Sequence, residues 1–440
     1  MTNEKPSLLA RIMKTASKIE PNEMRSVLVS FAFVFTLMAA YYILRPVRDA
    51  MASDWSDTEV SFLWNLNFFI SVAIVAIYGT AVSKVRFKLL VPGVYAFFAV
   101  SFIAFYFGVS ELQDRTLVDK SFYVWVSVFS LFHVSVFWSF MSDLFTKEQS
   151  GRLFAFIAAG ASAGALVGPL VPALFAGMVS TDTLLMIAAS ALFIPIPMIL
   201  YLDRLKVVDL HNQSVHADLD AARIGGNPFQ GFKQFFSSPY LLGIGAFILL
   251  YTAIGSFVYF EQKNLLAEFD RETRTQILGG VDFMVNLLTF AIGMFATSRI
   301  VTRFGMPVTL ALVPIFVAAC LLVLALAPIL TVVLALQVAR RAGNFAITRP
   351  AREMLFTAVD REARFKAKPV IDIAVYRGGD ALSSLAFAGL TDGLGLGLGA
   401  VAAVGAGIAG LWAYVGAALG RVFMRAQPEP TSGKEAIEPA

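Results

Sequence analysis

The chain has 440 residues, 58% of them hydrophobic and 15% charged, with a formal net charge of +4. That balance excludes a soluble globular domain and fits a polytopic membrane protein. A single cysteine, Cys320, excludes an intrachain disulfide framework or a thiolate metal site, and His133, His211 and His216 are too scattered for a metal motif. No cofactor or metal is expected.

Residues 1–26 carry Lys5, Arg11, Lys14, Lys18 and Arg25 with no continuous apolar core. They read as a cytoplasmic leader, amphipathic or disordered, rather than a signal peptide. From Val27 onward, apolar stretches long enough for a hydrocarbon core of about 30 Å follow one another. They predict twelve spans, at 27–44, 60–82, 89–109, 122–141, 153–178, 184–202, 240–260, 276–298, 306–326, 329–350, 370–391 and 397–420. The longest polar connection, a cytoplasmic linker at 203–239, separates an N-terminal six-helix bundle at 27–202 from a C-terminal one at 240–420. Residues 421–440 read as a disordered cytoplasmic tail. The predicted fold is therefore all-α, twelve transmembrane helices in two six-helix halves, the layout of a major-facilitator fold.

Segments on the N-terminal side of the membrane hold most of the 35 Lys and Arg. By the positive-inside rule both termini are expected in the cytoplasm, in a bacterial inner membrane. The halves also repeat: Leu144-Phe145-Thr146 followed by Arg152 recurs as Leu355-Phe356-Thr357 followed by Arg364. Gly160, Gly164 and Gly168 of the fifth span form a small-residue series of the kind that lets two helices pack closely.

Charge inside a span is costly and marks function or a pairing partner. Away from span ends it is confined to Asp282, Arg340, Arg341, Asp372, Arg377 and Asp380, on the eighth, tenth and eleventh spans. The third, sixth, ninth and twelfth carry none, as spans peripheral to a central path should. Helical spacing places Asp372, Tyr376, Asp380 and Ser383 on one stripe of the eleventh span, and Gln337, Arg341, Asn344 and Thr348 on one stripe of the tenth. At the outer end of the first span Tyr41, Arg45 and Arg48 share a face, and Pro46 is expected to mark a kink or the end of that helix.

Two readings of these charges stand side by side. In the first they fasten helices: Arg377 pairs with Asp380, and Arg340 or Arg341 with Asp282 or Asp372. In the second, Tyr41, Arg45, Arg48, Arg340, Arg341 and Asn344 bind an organic anion, for which the planar guanidinium is suited. Asp282, Asp372, Arg377 and Asp380 then relay charge or couple transport, with protons as a candidate coupling ion.

Three motifs carry a family resemblance. Leu44-Arg45-Pro-Val-Arg48-Asp49 resembles the Arg-x-x-Lys-Asp signature that closes the first span of the ATP:ADP antiporter (NTP/NDP exchange) family. Trp138-x3-Ser142-Asp143 with Arg152-Leu-Phe154 resembles that family's link between spans four and five. Lys366-x-Lys368-x3-Asp372-x4-Arg377-x-Gly379 resembles the start of its eleventh span. The resemblance implies nucleotide exchange on a major-facilitator fold. Arg48 stands where the family has Lys, and residues 153–178 hold no acidic residue, so the family's span-five carboxylate is missing.

The expected function is secondary active transport, by alternating access, of an organic anion such as a nucleotide or other phosphorylated solute. A proton-coupled transporter or exporter of another small organic solute and a non-transporting sensor or scaffold are the alternatives. The expected partners are that solute, protons and the lipid bilayer, with no nucleic acid. No pairing of nucleophile with base points to an enzyme.

Overall fold

The computed structural model describes residues 19–84, 87–111, 114–210, 230–295, 297–359, 367–368 and 370–426. Among them every regular element is a helix. In chain order the spans are α1 (Met24–Met51), α2 (Asp57–Lys84), α3 (Phe87–Glu111) and α4 (Thr116–Leu144). Next come α5 (Lys147–Val167, resumed at Leu170–Phe175) and α6 (Thr181–Ala191, resumed at Pro195–Val208). After a short helix at Gln230–Ser237 follow α7 (Pro239–Leu266), α8 (Arg271–Phe295) and α9 (Thr297–Leu326). The last three are α10 (Leu330–Gly343, then Asn344–Thr348 and Arg349–Leu355), α11 (Val370–Val375, Tyr376–Ala388 and Gly389–Gly393) and α12 (Leu398–Ala426). The leader and tail expected at the two ends lie largely outside the described residues, as does most of the 203–239 linker.

Nine of the described helices are by length and composition able to cross a membrane. α2, α10 and α11 fall outside that measure, and π-helical turns interrupt the last two at Asn344–Thr348, Val370–Val375 and Gly389–Gly393. Such turns insert an extra residue into the hydrogen-bond ladder and re-aim the side chains around them. α9 is broken at Gly305, whose φ of 72° lies in the left-handed region that glycine enters without strain. The apolar part therefore begins at Met306, where the hydropathy pattern begins the ninth span.

One expectation is corrected at α1. The helix does not end near Pro46 but continues to Met51. A proline removes one backbone donor; here Val47, Ala50 and Met51 beyond it are buried, and their packing favours continuation. Arg45 and Arg48 therefore sit inside a helix and not in a loop.

The chain forms two compact units, one of residues 1–225 with 262–287, the other of residues 226–261 with 288–440. In the first, α5 lies against α1 so closely that a Cβ on Gly160, Gly164 or Gly168 would fall under 3.0 Å from the carbonyl oxygens of Phe31, Phe35 and Ala39. This is the packing the glycine series predicts. An aromatic core follows, with Phe33 edge-on to Tyr95 and Phe137 at centroid distances of 5.4 and 4.9 Å. The repeated Leu-Phe-Thr stretch ends α4 and α10 alike. Leu144, Phe145, Leu355 and Phe356 are all buried, so the repeat plugs the same kind of helix end twice. At the first copy Thr146 and Gln149 form a reciprocal capping box at the start of α5.

In the second unit α9 and α12 pack along their length. Gly416 and Gly420 of α12 admit the backbone at Leu310 and at Met306 and Pro307. Trp412 is fully buried against Phe247 and Tyr251.

Candidate functional site

In the first unit the predicted arginines of α1 are held by carboxylates. Arg45 lies 3.3 Å from Asp282 of α8 and 3.6 Å from Asp49 one turn along α1. Arg48 donates to Asp49 through Nε at 2.9 Å and Nη2 at 2.7 Å, and to the Ser127 hydroxyl of α4 at 3.2 Å. Its guanidinium also lies over the Tyr123 ring, 5.4 Å from the centroid, a favourable cation–π placement. Tyr41 stacks on His133 at 4.6 Å. His133 is buried, with Nδ1 3.2 Å from the Phe129 carbonyl oxygen. Asp282 accordingly has an ionic neighbour on another helix, which helical spacing within α8 could not show.

A second, larger set of charges, just beyond Arg48 at the end of α1, escaped the sequence reading. Lys263, only 4% exposed, contacts Asp57 at 2.8 Å and donates to the Trp55 carbonyl at 2.6 Å. Asn264 donates to Asp57 at 3.0 Å. Arg271 bridges Asp54 at 2.7 Å and the buried Asp119 at 2.9 Å. Arg274 also pairs with Asp54 and donates to the carbonyls of Leu266 and Ala267 at 3.0 and 2.8 Å. Asp270 caps α8 by accepting from Thr273, and those hydrogen bonds hold its carboxyl below the usual range. The residues fell in predicted loops. The available signal was that Lys263, Arg271 and Arg274 make the basic content of the 261–275 connection high for a loop expected on the outer side.

The residues of the motif between the fourth and fifth spans make contacts within this unit. Arg152 forms a bidentate contact with buried Glu23 at 2.8 and 3.2 Å. Lys206 pairs with Asp143 at 2.8 Å, and Trp138 lies against Phe154 at 5.2 Å.

The second unit gathers a different cluster. Arg340 is buried at the end of the first part of α10. It donates to Gln337 at 2.7 Å and lies over the Tyr251 ring at 5.8 Å. Tyr251 in turn neighbours Tyr376 of α11 at 6.2 Å. No carboxylate among the described residues is within ion-pairing distance of Arg340. Asp380 is near enough to feel the charges of Arg377 and Arg340, but among the described residues no ion pair joins it to either. Arg341 and Asn344 are also buried, Asn344 opening the π-turn that interrupts α10. Asp372 lies on the π-turn that begins α11; its side chain and Lys366 lie outside the described residues. Gly379 seats α11 against Thr252 and Leu249 of α7. Among the described residues no group of three or more His, Cys, Asp or Glu could hold a metal ion.

Long apolar helices that carry buried arginines and carboxylates and are broken within their length define a polytopic membrane protein, since such interruptions are tolerated where protein or a water-filled cavity covers them. Residues 27–351 match the family model described as Major Facilitator Superfamily, and the chain belongs to that family; it is a transporter and not an enzyme. Solved structures share the fold. They include a bacterial homologue of the human lysosomal transporter Spinster in an inward-facing, unoccupied conformation, with TM-score 0.60, 13% identity and coverage of 94% of this chain and 100% of that one. The nucleoside transporter NupG matches with TM-score 0.62 and 13% identity, over 91% of this chain and 99% of that one. A bacterial metal transporter matches with TM-score 0.60 and 13% identity, over 91% and 98%. At such identities the likeness is one of fold. No curated protein sequence matches the chain.

Proposed function

We propose that the protein is a secondary transporter of a small organic anion, and that Arg340 contacts the substrate's negative charge. One observation carries this reading. Arg340 is buried beside a neutral amide and a tyrosine ring, with no carboxylate at ion-pairing distance among the described residues. A buried cation is costly unless something compensates it, and an incoming anion supplies that compensation. Tyr251 and Tyr376 beside it provide aromatic surface on which a planar group can lie. Arg341 and Asn344 extend the same polar stretch of α10. A phosphorylated nucleoside has both features. The resemblance to the ATP:ADP antiporter family and the shared fold with a nucleoside transporter support that substrate class, with exchange as the mode. Tyr41, Arg45 and Arg48 would take part only once Asp49 and Asp282 let them go.

Counterflow in proteoliposomes tests this. Vesicles preloaded with nucleotides or sugar phosphates should accumulate the labelled solute, and Arg340→Gln should abolish the accumulation. Equal accumulation by the wild type and the variant across the panel would contradict the assignment.

A proton-coupled reading is favoured by Asp380, the carboxylate of the second cluster that forms no ion pair among the described residues. Asp282, engaged by Arg45, is the weaker carrier. An Asp380→Asn variant that keeps exchange but loses response to an imposed pH gradient would support it. An unchanged response would remove it.

A further inference from the structure

We propose that the first unit carries a binding site for an ethanolamine phospholipid, on its membrane-facing flank between α2, α3 and α4. A groove of about 640 Å³ runs there. Its walls are apolar, built from Leu63, Leu66, Ile70, Phe105 and Val124, and only its mouth is polar, with Thr58, Glu59, Lys120 and Ser121. From Glu59 to Ile70 the helical rise amounts to roughly 17 Å, close to half of a hydrocarbon core of about 30 Å. The groove therefore has the depth of one leaflet. Its surroundings are those of lipid contact: Phe62 is 63% exposed, Phe69 67% and Leu117 77%.

The polar and charged residues at the starts of α2 and α4 place the mouth at headgroup level, since ionised side chains are costly deeper in the hydrocarbon. Behind the mouth Trp64 donates to the hydroxyl of buried Tyr123 at 2.7 Å, and buried Trp55 lies edge-on to Tyr123 at 5.6 Å. Trp125 lines the groove and donates to Ser101 at 2.7 Å. Trp and Tyr concentrate at membrane interfaces because one end of each is apolar and the other polar.

The charges at the mouth select the headgroup. Lys120 and Glu59 pair at 2.6 Å, and the Glu59 carboxylate is 46% exposed. An adjacent cation and anion complement a zwitterion, with the lipid phosphate against Lys120 and the primary ammonium against Glu59. A phosphoglycerol headgroup would bring only negative charge to a pair that already contains a carboxylate. A choline headgroup has no N–H to donate to that carboxylate. The acyl chain fills the apolar groove, which in a bilayer is covered by hydrocarbon and not by water.

Native mass spectrometry of the purified, delipidated full-length protein tests the site, using ethanolamine, glycerol and choline phospholipids with identical acyl chains. The expected result is one ethanolamine lipid bound at about fivefold lower concentration than the others, the scale of one exposed charge contact. Glu59→Gln/Lys120→Gln should erase that preference while leaving the residual lipid binding in place. Leu66→Trp, which fills the groove, should weaken binding of all three, whereas Val323→Trp, at an exposed apolar position of the other unit, should not. Equal binding of the three lipids by the wild type would overturn the proposal. So would a preference that survives the double substitution, or binding unaffected by Leu66→Trp. Thermal melting of each variant separates loss of the site from loss of the fold.

Discussion

Arg45 and Arg340 are both arginines inside membrane spans, and their surroundings are opposite. Arg45 lies within reach of two carboxylates, Asp49 and Asp282. Arg340 has an amide and an aromatic ring. A guanidinium in close ion pairs is largely neutralised by protein; one whose direct contacts are neutral, with the Asp380 carboxylate beyond ion-pairing distance, keeps attraction for a ligand. In the proposed reading this difference, and not residue type or burial, distinguishes the two roles, since Arg340 and Arg341 are each only 6% exposed and Arg274 is equally buried.

Substitutions can break this contrast. The largest effect is expected at the paired arginine: Arg45→Gln removes the ion pair of buried Asp282 and should destabilise the fold by about 3–5 kcal/mol. Adding Asp282→Asn should recover most of that loss in thermal melting. Lys263→Met, which breaks the buried contact with Asp57 in the same unit, should cost a similar or slightly smaller amount because Asn264 still donates to Asp57. Arg340→Gln should leave the melting temperature nearly unchanged and lower anion affinity by about 1.5–3 kcal/mol, roughly 10- to 100-fold. A fold loss at Arg340 as large as that at Arg45 would erase the distinction.

The smallest effect belongs to a pair near the membrane surface, at the end of α10. Burial raises the Glu353 carboxyl, but hydrogen bonds from Lys368 and Arg352 outweigh it and hold the group below its ordinary value. A depressed carboxylate stabilises the fold above its unfolded pKa of about 4.3, and the contribution vanishes as pH falls through the lower folded value. Glu353→Gln should therefore cost no more than about 1 kcal/mol at neutral pH, and the gap to the wild type should close below about pH 4. A gap that widens in acid would contradict that sign.

The helices were legible because hydropathy counts residues per span, and the expected spans fall on the described helices with small shifts at the ends. The shifts matter. The first span was cut at Leu44 because Pro46 and two arginines follow, yet burial of Val47 and Met51 carries the helix on. The seventh was cut at Phe260 because Glu261 and Lys263 follow, yet their charges are buried in α7. Hydropathy penalises a charged residue without knowing whether a partner neutralises it. The partner is usually distant in sequence: Asp57 and Lys263 are more than 200 residues apart. Helical spacing likewise gave the stripes of α10 and α11 but not the π-turns within them, because a π-turn depends on tertiary packing and has no fixed sequence mark. Tyr251, the ring beneath Arg340, was missed because α7 carries no charge at its centre to draw attention to it.

In the proposed function Arg340 meets the negative charge of the substrate. Titration calorimetry of the purified transporter with matched pairs, a nucleoside against its phosphate and a sugar against its phosphate, measures that charge preference directly. The wild type should bind the phosphorylated member of at least one pair more tightly, and Arg340→Gln should bind both members of that pair equally while melting at the wild-type temperature. A preference for the phosphate that persists undiminished in Arg340→Gln would contradict the account.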